Sequence, residues 1–550
     1  MKIDRLIIAM LCTMCLLGCS SPRIMMAEPE RGITENPVSS TAFSAWVDES
    51  FLVSYDSRRI AYIEETGGKY AVVLDGKKGK EYEEIYRDWL DFSPDSQRLT
   101  YAVMEGDKRF VVVDGKEGKR YDDILLLTPI FSQDSKKFGY VAKLDDKWFS
   151  VIEGEEGKPY DQIEVLTFRF SPDGEQVAYA ARIGEKWCAV INGKEGKFYD
   201  GLGPAMPFFS VNSRHVAYIA YEGEKSVVVV DGVEGKQYDE IGLGSPIFSP
   251  DSTKIAYVAR EGDKWLVVTD GVEGKKYDSV ESLSLMFSPD SQRLAYVALG
   301  DNKWHMVING TEAGTYDYIM SDSALFSPDS QRIAYVANSC DENHEHNAAV
   351  LHEGMHEFVV LDGDEEKEYG TVVTDSLVFS SDSQRLAYAV QSHSGHVHTE
   401  ETADTEEGTH SHEDDRWCVV VDGEKQKEYV ATGENTIVFS PDSQHIAYAA
   451  YNNENWFVVI DGEEQKQYEG ISQAIKFSPN SRWLAYIGRT GEKSYVVINR
   501  DEGKPYDGIL IGWGGDLIFD SAGKLHYIAI NGEEFYLVEE TITEAGAEGK

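Results

Sequence analysis

The chain has 550 residues, 42% of them hydrophobic, and 96 acidic against 52 basic side chains give it a formal net charge of −44. So acidic a surface excludes nucleic acid, whose phosphates it would repel, and direct docking on anionic lipid; it favours solubility and attraction of cations or basic partners. A chain this long can build cores that hold by packing alone, so its six cysteines need form no disulfide framework.

The N-terminus opens with Lys2 and Arg5, continues through an apolar run from Leu6 to Leu17, and reaches Leu16-Leu17-Gly18-Cys19. The run is short for a membrane span and has the proportions of a secretory signal. These residues resemble a bacterial lipoprotein signal with its lipobox. The resemblance implies cleavage before Cys19, acylation of Cys19 and, with Ser20 next, sorting to the outer membrane, on its periplasmic face or at the cell surface. Residues 1–19 are then the signal peptide and 20–40 a flexible tether. No later apolar stretch is long enough to span a bilayer.

From Val53 onward a variant of Phe-Ser-Pro-Asp-Ser recurs twelve times. Its first position falls at Val53, Phe92, Phe131, Phe170, Phe209, Phe248, Phe287, Phe326, Phe379, Phe439, Phe477 and Phe519, and the first eight copies keep a spacing of 39 residues. A fixed period of that size marks a repeat architecture. One tyrosine follows about nine residues later, as at Tyr62, Tyr101 and Tyr140, and a second closes eleven of the units, from Tyr82 to Tyr506.

Each unit parses into four short strands with no helical periodicity. In the seventh, Phe287 ends the first strand at a Ser-Pro-Asp-Ser turn, where proline fixes φ and aspartate bonds backbone N–H groups. Arg293 to Ala298 is the second strand and Trp304 to Ile308 the third, apolar enough to be covered on both faces. Asn309-Gly310 supplies the positive φ of a tight turn, and the fourth strand centres on Tyr316. Four antiparallel strands in about 40 residues, repeated, predict an all-β fold, the β-propeller.

The motif, as in Phe248-Ser249-Pro250-Asp251-Ser252 followed by Lys254-Ile255-Ala256-Tyr257, resembles the WD-like propeller repeats of the TolB type over residues 53 to about 540. That family's separate N-terminal α/β domain is missing, so TolB's own role does not carry over. Since propellers usually have four to eight blades, the twelve units are expected as two six-bladed rings, residues 41–286 and 287–545. Seven plus five blades, or one large ring, are the alternatives. The twelfth unit lacks a closing tyrosine, so its outer strand is expected from residues 41–47.

Cys188 and Cys418 follow the tryptophans that open third strands and read as small core residues. Those tryptophans (Trp148, Trp187, Trp265, Trp304, Trp417, Trp456) read as packing between blades, and the Ser-Pro-Asp-Ser aspartates as turn residues, not cation ligands.

Two insertions break the period, residues 338–357 in the eighth unit and 391–415 in the ninth, both between second and third strands. They hold nine of the thirteen histidines: His344, His346, His352, His356, His393, His396, His398, His410 and His412. Imidazole with carboxylate suits Zn²⁺, Ni²⁺ or Cu²⁺, and His-x-His places two rings on one side of an extended segment; against this stands the reading of solvated, low-complexity loops. No other cofactor is indicated.

No Gly-x-Ser-x-Gly elbow or phosphate loop occurs, and the repeat leaves no segment for a catalytic domain. The expectation is therefore a non-enzymatic, lipid-anchored cell-envelope scaffold that binds a protein, peptide or other ligand. The alternatives are an envelope transition-metal binder acting through the paired His-rich loops, and an enzyme with its site in the propeller channel.

Overall fold

In the computed structural model, which describes residues 28–40, 47, 49–125, 127–340, 355–392, 416–433, 435–512 and 515–545, every repeat folds into one antiparallel blade. In the seventh, Leu294–Gly300 and Lys303–Ile308 form the central hairpin and Thr311–Tyr316 the outer edge. The innermost strand comes in two pieces, Ser279–Val280 and Met286–Phe287, both paired with Leu294–Gly300. Where the chain leaves the sheet between them, the Ser284 hydroxyl takes over: it accepts from the Val297 amide at 2.8 Å and donates to the Glu281 carbonyl at 2.7 Å. Thr128, Thr167, Ser245, Ser323, Ser376 and Thr436 accept the equivalent amide in their blades. A hydroxyl three residues before the phenylalanine position is thus part of the motif, and it keeps a buried N–H satisfied where the ladder is interrupted.

The two repeated tyrosines meet across blades. Tyr238 of the fifth blade stands edge-on to Tyr257 of the sixth at 6.1 Å between centroids, and Tyr506 of the eleventh to Tyr527 of the twelfth at 6.2 Å. Such pairs contribute about 0.5–1.5 kcal/mol each beyond the area they bury. The Asp-Gly-x-Glu-Gly-Lys segment serves the same junction: Glu273 of the sixth blade receives the Tyr238 hydroxyl at 2.9 Å and the Lys236 ammonium at 2.5 Å, both from the fifth. Trp148, Trp265, Trp304 and Trp456 pack between blades as expected; Trp304, buried, lies edge-on to Tyr318 of the next blade at 5.9 Å.

The Ser-Pro-Asp-Ser turn also reaches its neighbour. Asp251 Oδ1 accepts from Ser249 Oγ at 2.7 Å and from the Thr253 amide at 2.9 Å, which is local turn chemistry, while its own amide donates to Ser291 Oγ of the following blade at 2.9 Å. Equivalent amide-to-serine bonds run from Asp290 to Ser330, Asp329 to Ser383, Asp382 to Ser443 and Asp442 to Ser481.

These junctions correct the expected division into two rings. Blade six joins blade seven through one continuous core holding Val258, Val267, Tyr277, Tyr296 and Val307, with no break near residue 286. Blade twelve then packs on blade one: Ile528 and Phe535 share a core with Phe51, Val53, Ile60 and Tyr62, and the Asp516 amide donates to Ser57 Oγ at 2.9 Å. The twelve blades form one ring.

Closure uses a strand that the sequence reading assigned to the tether. Pro29–Ser40, not residues 41–47, pairs with Glu534–Glu544 as the outer strand of blade twelve. Glu35 fills the place of the repeat's fourth-strand glutamate, taking Lys504 at 2.6 Å and the Tyr506 hydroxyl at 2.8 Å from blade eleven. Arg31 forms a buried bidentate pair with Glu540, at 2.7 Å on both sides, and donates to the Val496 and Asp501 carbonyls. Glu540 also accepts from the Tyr527 hydroxyl at 2.8 Å. Val47 lies beyond this strand, packed on the core between blades one and two.

Two expectations follow from this packing. Cys188 and Cys418 are fully buried, and burial pushes their thiols up to about 12 and about 11. With Cys340 replaced by alanine, the chain from residue 21 should show no reaction with a thiol reagent at pH 8 until it is unfolded; rapid native labelling would contradict the burial. The turn aspartates Asp95, Asp134, Asp173, Asp251, Asp290, Asp329 and Asp382 are all held below the usual carboxylate range, chiefly by the serine hydroxyl two residues before each, and Asp134 and Asp251 reach about 2. A carboxylate depressed by folding stabilises above its unfolded pKa of about 4 and loses that contribution as pH falls through the folded value. Asparagine already serves at Asn212, where Oδ1 accepts from Ser210 Oγ and the Arg214 amide. Replacing the seven aspartates with asparagine should therefore move the acid-unfolding midpoint, read by circular dichroism, to lower pH.

Candidate functional site

The Ser-Pro-Asp-Ser turns and the Asp-Gly turns share one face of the ring, since Asp270 Oδ1 accepts from the Ile255 amide across the two turns. The hairpins between second and third strands share the other. Most are held by the carboxylate after the second tyrosine of the preceding blade: Asp239 takes the Gly262 amide of the next hairpin tip at 2.7 Å and Lys225 at 2.6 Å, whereas Gly370 and Val430 stand at that position before blades nine and ten.

Both insertions leave from this hairpin face, on adjacent blades. In blade eight the stem is Ile333–Cys340 against Met355–Leu361, with Ser339 opposite His356; in blade nine Leu386–Ser392 runs against Arg416–Val421, with Ser392 opposite Arg416. His344, His346, His352, His393, His396, His398, His410 and His412 lie outside the described residues. His356 is described: its Nδ1 stands 2.9 Å from Glu368 Oε2. Among the described residues no group of three or more histidine, cysteine or carboxylate side chains is placed to hold a metal ion.

The junction between these blades departs from the repeat at three positions. His356 and Glu357 stand where blade seven has Lys303 and Trp304, and Gly370 stands where it has Asp317. Glu357 Oε1 accepts from the Val372 amide of blade nine at 2.5 Å, and Oε2 faces Asn338 Nδ2 at 3.4 Å. Burial raises the Glu357 carboxyl above its ordinary range. Gly370 has φ +138°, and a Cβ there would meet the Gln391 carbonyl at 2.2 Å. A backbone in contact with another backbone leaves room only for glycine. So the hairpin of blade nine sits where an aspartate would otherwise clamp it. The sequence reading singled out the histidines and missed Glu357 and Gly370; their signal was the mismatch between unit eight and its neighbours.

On the inner rim beside this junction, a cavity of about 220 Å³ opens between blades nine and ten, lined by Val373, Asp375, Leu377, Trp417, Asn435 and Ile437. Among the described residues Asp375 is its one ionisable lining residue. The chemistry of the junction is that of carboxylates and imidazole, suited to cations and basic groups.

No protein-family model matches the chain, and no curated protein matches it. Solved structures do match, at low identity. A structure of "the eukaryotic initiation factor" is 13% identical, with a TM-score of 0.31, over 60% of this chain and 89% of the other. TolB from Acinetobacter baumannii is 18% identical at a TM-score of 0.22, over 40% of this chain and 61% of its own. The β-propeller domain of the Trilobed protease from Pyrococcus furiosus is 14% identical at 0.25, over 56% and 96%. At these identities and scores no function passes from them to this chain.

Proposed function

We propose that the chain is a non-enzymatic, lipid-anchored scaffold of the cell envelope that captures a protein or peptide partner of basic character on its hairpin face. The observation that carries this reading is the fate of the repeated residues. Repeated tyrosines, lysines, glutamates and serines are spent on the neighbouring blade, as at Tyr238, Lys236, Glu273 and Ser291. The two insertions that break the period are in blades eight and nine, and the junction at their stems carries His356, Glu357 and Gly370 in place of the residues found in blade seven. Exposed binding groups on a rigid β-frame are the usual division of labour between loops and scaffold. The lipobox-like Leu16-Leu17-Gly18-Cys19 supports acylation of Cys19 and outer-membrane anchoring. Capture from solubilised envelopes tests the reading, with the lipidated chain set beside a variant in which residues 341–354 and 393–415 are each replaced by Gly-Asp. A partner retained by the first and lost by the second is expected; the same set of proteins on both would refute it.

Transition-metal binding is a second reading, favoured by the position of the two stems at equivalent hairpins of adjacent blades, with His356 and Glu368 at the base of one. Zn²⁺, Ni²⁺ and Cu²⁺ titrated calorimetrically into the chain from residue 21 should release heat that the trimmed variant lacks. Binding should also weaken below pH 6, where imidazole protonates. Equal affinities in both proteins would dismiss it.

A further inference from the structure

The strand that closes the ring also has a direction. Its first residue, Pro29, lies opposite Glu544, and its last, Ser40, opposite Glu534. The Glu544 end belongs to the Ser-Pro-Asp-Ser face: Glu544 pairs with Arg482 of the blade-eleven turn at 2.7 Å, and the Ala545 amide donates to the Glu28 carbonyl at 3.0 Å. The Glu534 end belongs to the hairpin face, since Asn531 to Glu534 makes the tip of the blade-twelve hairpin. The chain therefore enters the ring on the turn face, while the stems of both insertions leave from the opposite one.

Cys19 precedes Glu28 by nine residues, a reach of at most about 30 Å even when fully extended. We infer that the ring lies with its Ser-Pro-Asp-Ser face toward the bilayer that holds Cys19, and presents the hairpin face, with the stems of the two insertions, away from it. This rests on the lipid-anchored reading above.

Lipidated full-length protein with Cys340 replaced by alanine, reconstituted in phosphatidylcholine vesicles containing a headgroup quencher, tests the orientation. Four single substitutions give a labelled cysteine on each face of two blades: Thr253→Cys and Arg482→Cys on the turn face, Asp263→Cys and Glu492→Cys on the hairpin face. Quenching several-fold stronger at 253 and 482 than at 263 and 492 is expected. Equal quenching, as for a ring standing on edge, or the reverse order would overturn the orientation while leaving the anchor intact. Failure of the parent protein to float with vesicles, matching a Cys19→Ser variant, would remove the anchor and the orientation together.

Discussion

Arg31→Ala is expected to destabilise the closed ring by about 3–5 kcal/mol, the range for removing one partner of a buried ion pair. The Arg31 side chain is 4% exposed and that of Glu540 0%, so loss of the guanidinium leaves a carboxylate without its counter-charge in the core of blade twelve. Among the described residues the Tyr527 hydroxyl then remains as its side-chain partner. The loss should appear as a lower unfolding midpoint and as protease cleavage between residues 28 and 50, where the closing strand detaches. A double variant, Arg31→Met with Glu540→Gln, keeps an acceptor for Tyr527 and removes the stranded charge, so it should recover most of the stability. If the single variant unfolds like the parent, Pro29–Ser40 does not latch the ring.

The second large effect is at Gly370. Aspartate is what the repeat carries at this position, so a consensus argument would call Gly370→Asp stabilising. The geometry predicts the opposite. A Cβ would come within 2.2 Å of the Gln391 carbonyl oxygen and 2.9 Å of Ser392 Cα, backbone atoms that move only with the whole strand, and φ is +138°. Backbone strain and overpacking each cost about 1–3 kcal/mol. Both Gly370→Ala and Gly370→Asp should lower the unfolding midpoint and speed hydrogen exchange in residues 386–392 and 416–421, with the ring otherwise intact. Partner capture and metal binding should weaken too, because the stem of the ninth-blade insertion shifts. A Gly370→Asp protein more stable than the parent would show that blade nine accepts the carboxylate clamp that Asp239 gives blade six.

The blades were legible in the sequence because their determinants are local. Phe-Ser-Pro-Asp-Ser and Asp-Gly specify turns within a few residues, and the tyrosines recur in a fixed register that only one kind of unit explains. The number of rings was not legible. The junctions repeat one kind of contact, Lys236 and Tyr238 on Glu273 or Lys504 and Tyr506 on Glu35, including the one that closes blade twelve on blade eleven, so such residues are alike whether a ring closes after six blades or twelve. What decides is the small rotation between neighbours, summed around the ring, and no single residue records it.

The closing strand escaped for a different reason. Pro29–Ser40 reads PERGITENPVSS, polar and holding two prolines, which argues for a tether in isolation. Its strand state comes from partners some five hundred residues away, among them Glu540 for Arg31 and Lys504 for Glu35. The insertions stood out as interruptions of the period. Glu357 and Gly370, which set the junction beneath them, become visible only when unit eight is laid over its neighbours position by position.

Images of the purified chain by electron cryomicroscopy, viewed down the channel, test the central claim most directly. A single annulus with twelve radial blades, broken open or distorted in a variant lacking residues 28–40, is the predicted result. Two separate six-bladed rings per chain, indifferent to that deletion, would contradict it.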